Sequence, residues 1–222
     1  MRAALAIAAK DLRAEARSRT ALVSAVALAA LILVIFYLAR DPTVLRPQLI
    51  APSALWITCT FASMTALGRA FQMEVEHGAI DALLLAPVPR EAIYLGKFLG
   101  NLVFVGVVEA VTLPLLVLFF NLGLWGALPA LAVVALLATV GFVAVGTVFG
   151  ALVARVRYRE LLLPLLLLPF MVAPLVSAVQ ITSGILEGRS LAHNPGSLRL
   201  LFGYDIVFVT VGLLVFPALL DE

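Results

Sequence analysis

A chain of 222 residues, 64% hydrophobic and 13% charged, with a mean hydropathy of +1.14, carries about half the charge of an ordinary soluble domain and reads as an integral membrane protein. Its formal charge of +2 is dispersed along the flanks of apolar runs rather than gathered on one face, which argues against a nucleic-acid partner. A single cysteine, Cys59, excludes an internal disulfide framework and a CxxC redox or metal site.

Residues 1–19 come first. Lys10 interrupts their apolar stretch, so they do not read as a cleaved secretory signal. As a helix they place Met1, Leu5, Ala8, Ala9, Leu12 and Ala16 on one face. Arg2, Lys10, Arg13 and Arg17 border that face on one side, Asp11 and Glu15 on the other, and Ile7 points away from it. The pattern predicts a helix in the membrane interface with its cations near anionic lipid headgroups; a plain positive flank is the simpler alternative.

Six apolar runs follow, at residues 20–39, 49–68, 98–120, 127–154, 161–183 and 200–220. Each is near the 20 or so residues that a helix needs to cross the bilayer. Of the 15 Lys and Arg, five precede the first run, three lie in 69–97 and three in 155–159, against four in the remaining loops. That asymmetry predicts a cytoplasmic amino terminus and, with six spans, a cytoplasmic carboxyl terminus.

The segment 69–97 is the longest predicted cytoplasmic loop. Residues 69–77 can prolong the second helix until Gly78, a residue suited to a helix C-cap. Ile80, Leu83, Leu84 and Leu85 then form an apolar patch, Pro87 and Pro89 set a turn, and a helix can restart at Glu91. An apolar patch among four acids on the water side invites a partner; packing of the leucines on the bilayer surface is the alternative.

Within the third run, Glu109 lies about 16 Å deep by helical rise. A carboxyl there is costly unless it faces protein, a water-filled cavity or a partner, or stays protonated, so it is a candidate transport-path or coupling residue, or else a structural acid bonded to a neighbouring helix. Small residues recur four apart at Gly96 and Gly100 and at Gly146, Gly150 and Ala154, where backbones can approach closely, within the chain or between subunits. Pro164, Pro169 and Pro174 predict a bent or interrupted fifth span, and they deprive the carbonyls of Glu160, Leu165 and Phe170 of their helical donors. Asp205 is expected near the membrane interface at the start of the sixth span.

No P-loop is present: Gly96-Lys97 is followed by Phe98, and Glu91 stands where the first glycine belongs. There is no haem-attachment C-x-x-C-H, no H-E-x-x-H and no G-x-S-x-G, hence no catalytic residue, metal ligand set or cofactor motif to name. His77 and His193 fall on opposite sides of the predicted topology and cannot share a metal; His193 is an outer-side axial-ligand candidate or a plain surface residue.

The run "RAFQMEVEHGAIDALLLAPVPREAIYLGK" at 69–97, with "KDLRAEARSR" at 10–19 and "GTVFGALVARVRYRELLLPLLLLP" at 146–169, resembles the haem exporter protein B family, the permease subunit of the cytochrome c maturation ABC transporter within the ABC-2-type permease superfamily. The resemblance covers essentially the whole chain. It implies an all-α polytopic protein forming one permease domain over 1–222, with six transmembrane helices, an interfacial helix at 1–19 and a coupling loop at 69–97. It also implies a bacterial inner-membrane location, an ABC ATPase subunit that holds the ATP, a haem-handling membrane subunit, a small membrane peptide, and haem as cargo of the complex. A second copy of the chain and membrane lipid complete the expected partners.

The residues expected to couple to the ATPase are Arg69, Glu74, Glu76, Gly78, Asp81, Leu83, Leu84, Pro87, Arg90 and Lys97, with Glu109 as the intramembrane acid. The competing functions are an ABC-2-type permease for a lipid, glycan or drug, and a structural membrane anchor.

Overall fold

The structure is a computed structural model that describes residues 1–41, 45–76, 88–153, 156 and 159–219, with only the backbone for 18, 69–76 and 159–160. Seven α-helices and one short 3-10 turn make up the described residues: α1 (Arg2–Ser18), α2 (Thr20–Ala39), α3 (Pro47–Glu76), α4 (Arg90–Phe120), α5 (Leu128–Val153), α6 (Arg159–Leu186), the turn Leu191–His193, and α7 (Pro195–Leu219). The last six α-helices are long and apolar enough to cross a membrane. The six predicted spans thus reappear as α2 to α7, with α2 at its predicted limits.

Local chemistry sets the helix boundaries. Arg19 adopts φ 55° and so ends α1 and begins α2 in a single residue; its N–H donates to the Glu15 carbonyl at 2.7 Å. The Glu15 carboxylate then accepts the Leu22 N–H at 3.0 Å, satisfying one of the free donors in the first turn of α2. Asn121, at φ 50°, closes α4, in keeping with the tolerance of asparagine for the left-handed region. Pro47 and Pro195 open α3 and α7, where a missing N–H costs no helical bond.

The middle of the bundle is formed by α3 and α4. Helix α4 packs against α1, α2, α3, α5 and α7, and α3 against α2, α4, α5 and α6. Helix α2 contributes a stripe of Ala21, Ala25, Ala29 and Leu33, all buried, and turns Val23, Leu31, Ile35 and Leu38 outward. In a membrane such outward side chains meet lipid tails, so association rests on close packing and interhelical hydrogen bonds rather than on escape from water. One core cluster gathers around Trp56, Phe142, Leu167 and Met171. The other gathers around Tyr94, Val105, Val108 and Phe216, with Ile7 of α1 joining it.

One expectation is corrected, and two others gain detail. Ile7 does not point away from the packed face of α1: Ala4, Ile7 and Ala8 are buried, while Met1 and Leu5 are exposed. The reason lies in α4, where the absence of side chains at Gly96 and Gly100 admits that stripe. Of the two forms expected for the fifth span, bent or interrupted, the second is excluded, since α6 runs unbroken through Pro164, Pro169 and Pro174. Helix α7 begins at Pro195, and Asp205, ten residues further along, is buried.

Each small-residue stripe has a glycine that meets another helix of the chain. Gly96 meets α1, and Gly146 faces Leu67 of α3.

Candidate functional site

Polar groups inside an apolar bundle must find partners or bear the cost of burial, so they mark the candidate positions. Glu109 on α4 is 6% exposed. Its Oε2 accepts from the Thr139 hydroxyl of α5 at 2.7 Å, while Oε1 is buried without a partner. Beside the carboxyl is a cavity whose other walls are Leu55, Trp56, Cys59, Leu113, Leu131 and Ala135. The Thr139 hydroxyl oxygen also lies 2.7 Å from the Ala135 carbonyl, so its single proton is shared between that oxygen and Glu109 Oε2. Trp56 is engaged elsewhere and donates to the Thr182 hydroxyl at 2.8 Å.

A second α4–α5 bond joins the Asn101 amide, as donor, to the Thr147 hydroxyl at 3.2 Å. On the opposite flank of α5, Asp205 of α7 lies against Gly141, where an added methyl would fall 2.9 Å from its Oδ1. That oxygen, like Glu109 Oε1, is buried and unpartnered. Two carboxyls are therefore enclosed in the bundle, on either side of α5. Sequence reasoning identified Glu109 but not the burial of Asp205, because an acid near the start of an apolar run carries no mark of the helix that covers it.

The prolines of α6 leave one visible trace. Pro174 removes the donor for the Phe170 carbonyl, and the Tyr204 hydroxyl of α7 donates to that oxygen at 2.7 Å. A tyrosine nine residues into an apolar helix is the signal that could have located this contact.

The residues expected to couple to an ATPase fall into three groups. Gly78, Asp81, Leu83, Leu84 and Pro87 lie outside the described residues. Arg69, Glu74 and Glu76 lie on the last turns of α3, which runs beyond its apolar part to Glu76. Arg90 and Lys97 lie on α4 and meet other helices of the chain. The Arg90 guanidinium donates to the Pro217 carbonyl of α7 at 3.4 Å. Lys97, 6% exposed at its side chain, donates to Asp11 Oδ2 of α1 at 2.7 Å. Asp11 was not singled out by sequence reasoning, since an acid on an amphipathic face carries no mark of its partner.

At the other end of the bundle, Arg189 pairs with Glu187 and sets its Nη1 3.2 Å from His193 Nε2. Among the described residues no three His, Cys, Asp or Glu side chains gather as a metal site.

A six-span bundle with an amino-terminal amphipathic helix is common to many transport proteins, so the architecture alone leaves the family open. Residues 2–221 match the CcmB protein family, nearly end to end. The chain belongs to the CcmB family. It is 32% identical over 146 residues to "Heme exporter protein B" of Rhodobacter capsulatus, covering 64% of this chain and 65% of that protein. The Pseudomonas aeruginosa protein of the same name is 30% identical over 173 residues, 78% of this chain and 75% of that one. That of Paracoccus denitrificans is 30% identical over 169 residues, 76% and 75% respectively. Membership in the CcmB family and the six membrane-length helices together make this a multi-pass membrane protein.

Proposed function

We propose that this chain is the membrane-embedded permease subunit of an ABC transporter complex for haem delivery in c-type cytochrome biogenesis, and that it carries the motion of a separate ATPase subunit into the bilayer. The match of residues 2–221 to the CcmB family carries the reading, reinforced by the names of its relatives. The chain lacks a P-loop of its own, so ATP is held by the partner. The family and its bacterial relatives support the bacterial inner membrane, and the Lys/Arg asymmetry supports cytoplasmic termini, with 69–97 on the ATPase side. The remaining partners are a haem-handling membrane subunit, a small membrane peptide, a second copy of the chain and lipid, with haem as cargo.

In this reading Arg69, Glu74, Glu76, Gly78, Asp81, Leu83, Leu84 and Pro87 meet the ATPase. Arg90 and Lys97 anchor the helix that leaves the loop, and Glu109 is the intramembrane acid beside the transport path. The leucines supply the affinity, since each buried leucine contributes about 1.5–3 kcal/mol. The test is ATPase co-purification with the double variant Leu83→Ala, Leu84→Ala at matched membrane levels. Capture should fall sharply, and cytochrome c maturation with it. Undiminished capture with normal maturation would assign the leucines to the bilayer surface and remove the docking role.

A further inference from the structure

Resting on the reading that motion enters through 69–97, we propose that Asp11 and Lys97 are positioning residues that bolt α1 to the opening turns of α4, so that α1 moves as one body with α4 and hinges at Arg19. Three independent observations meet here.

The first is the closeness of the two backbones. A methyl at Gly96 would fall 2.7 Å from Ile7 Cβ and 2.9 Å from the Ala4 carbonyl oxygen, so α1 lies almost against the α4 main chain. One turn later, a methyl at Gly100 would stand 3.6 Å from Ala8 Cα, an ordinary contact.

The second is the ion pair between those glycines. Lys97 Nζ is 2.7 Å from Asp11 Oδ2, and Lys10 Nζ is 3.1 Å from the other oxygen of the same carboxylate. Removing Asp11 would strip the buried ammonium of this carboxylate, and breaking such a pair costs more than forming it gains. The pair therefore acts as a register pin: it is satisfied only while α1 keeps its place on α4.

The third is the weak joint at the other end. A single left-handed residue, Arg19, separates α1 from α2, and α1 packs far more extensively on α4 than on α2. In mechanical terms α1 belongs with α4, although it is covalently continuous with α2. A displacement at the start of α4 then draws α1 with it and tilts α2, whose alanine stripe offers little obstruction to sliding.

The test replaces the ion pair with a covalent bond. In a Cys59→Ala background, Asp11→Cys is combined with Gly100→Cys; a Cβ at Gly100 lies 3.7 Å from Asp11 Cβ, within the roughly 3.5–4.5 Å of disulfides. The disulfide should form in the assembled complex, and the oxidised form should support cytochrome c maturation severalfold better than the reduced form and than Asp11→Asn, both of which lack the carboxylate. Loss of maturation on oxidation, recovered with reductant, would show that α1 and α4 part during the cycle and overturn the proposal, as would failure of the bond to form.

If the cysteine pair does not accumulate, the charge-exchanged pair Asp11→Lys with Lys97→Asp decides: recovery above either single change upholds the bolt, and no recovery removes it. Co-purified ATPase is measured throughout. Asp11→Asn should retain it while maturation falls, whereas lost capture would assign the pair to the docking surface and sink the transmission role. Failure of ATPase docking at Leu83 and Leu84 is read separately, in the leucine variants.

Discussion

At the scale of single residues, the bundle is held by a few polar contacts whose partners lie on other helices. The Tyr204 hydroxyl and the Phe170 carbonyl illustrate the logic, because the carbonyl is free only on account of Pro174. Interhelical hydrogen bonds in membranes contribute about 0.6 kcal/mol on average and reach about 1.7. Tyr204→Phe should therefore lower stability by roughly that amount, measured as unfolding in detergent. In a Pro174→Ala background the helix restores its own donor, so Tyr204→Phe should then cost distinctly less. Equal costs in the two backgrounds would mean that the hydroxyl is not compensating for the proline. Glu109 was legible in the sequence as an acid within an apolar run. Its bond to Thr139 was not, because threonine is unremarkable in a membrane helix and its partner is thirty residues away.

At the scale of elements, the α1–α4 seam depends on two glycines with unequal tolerance. Gly96→Ala brings a methyl against a backbone carbonyl and a β-branched side chain, neither of which can move without shifting α1, and overpacking of this kind costs about 1–3 kcal/mol. Gly100→Ala meets only ordinary contact distances. Cysteine-free variants should consequently differ: Gly96→Ala should expose the amino-terminal helix to limited proteolysis, and Gly100→Ala should resemble the parent. Equal protection of both would argue that α1 does not pack so closely. The amphipathic character of α1 was visible from its sequence, but its buried stripe was not. Its alanines leave two faces of similar polarity, and the choice between them was made by the groove on α4.

At the scale of the whole molecule, the six spans and the distribution of Lys and Arg predict the sidedness. Cysteines placed singly at Asp41, Trp125 and Glu187 should react with a membrane-impermeant thiol reagent added from outside, Trp125 being 88% exposed. Cysteines at His77 and Arg157 should react only after the membrane is opened. Labelling of position 77 in sealed cells would invert the topology and take the coupling segment away from any cytoplasmic ATPase. The native Cys59 is buried and serves as an internal blank.

The number of spans, their limits to within eight residues and the family resemblance were all legible in the amino-acid sequence. A bilayer demands about 20 consecutive apolar residues of each helix and leaves charged residues at the ends, so those features are written in composition along the chain. The faces were another matter. A span of nearly uniform hydropathy bears no polar side to separate lipid from protein, and hydrophobicity favours neither. The packing of helices against one another is what turns Ile7 inward, joins Lys97 to Asp11, brings Thr139 to Glu109 and sets Tyr204 on the Phe170 carbonyl. Close packing at glycines and the need of each buried polar atom for a partner choose those neighbours, and both depend on helices distant in sequence.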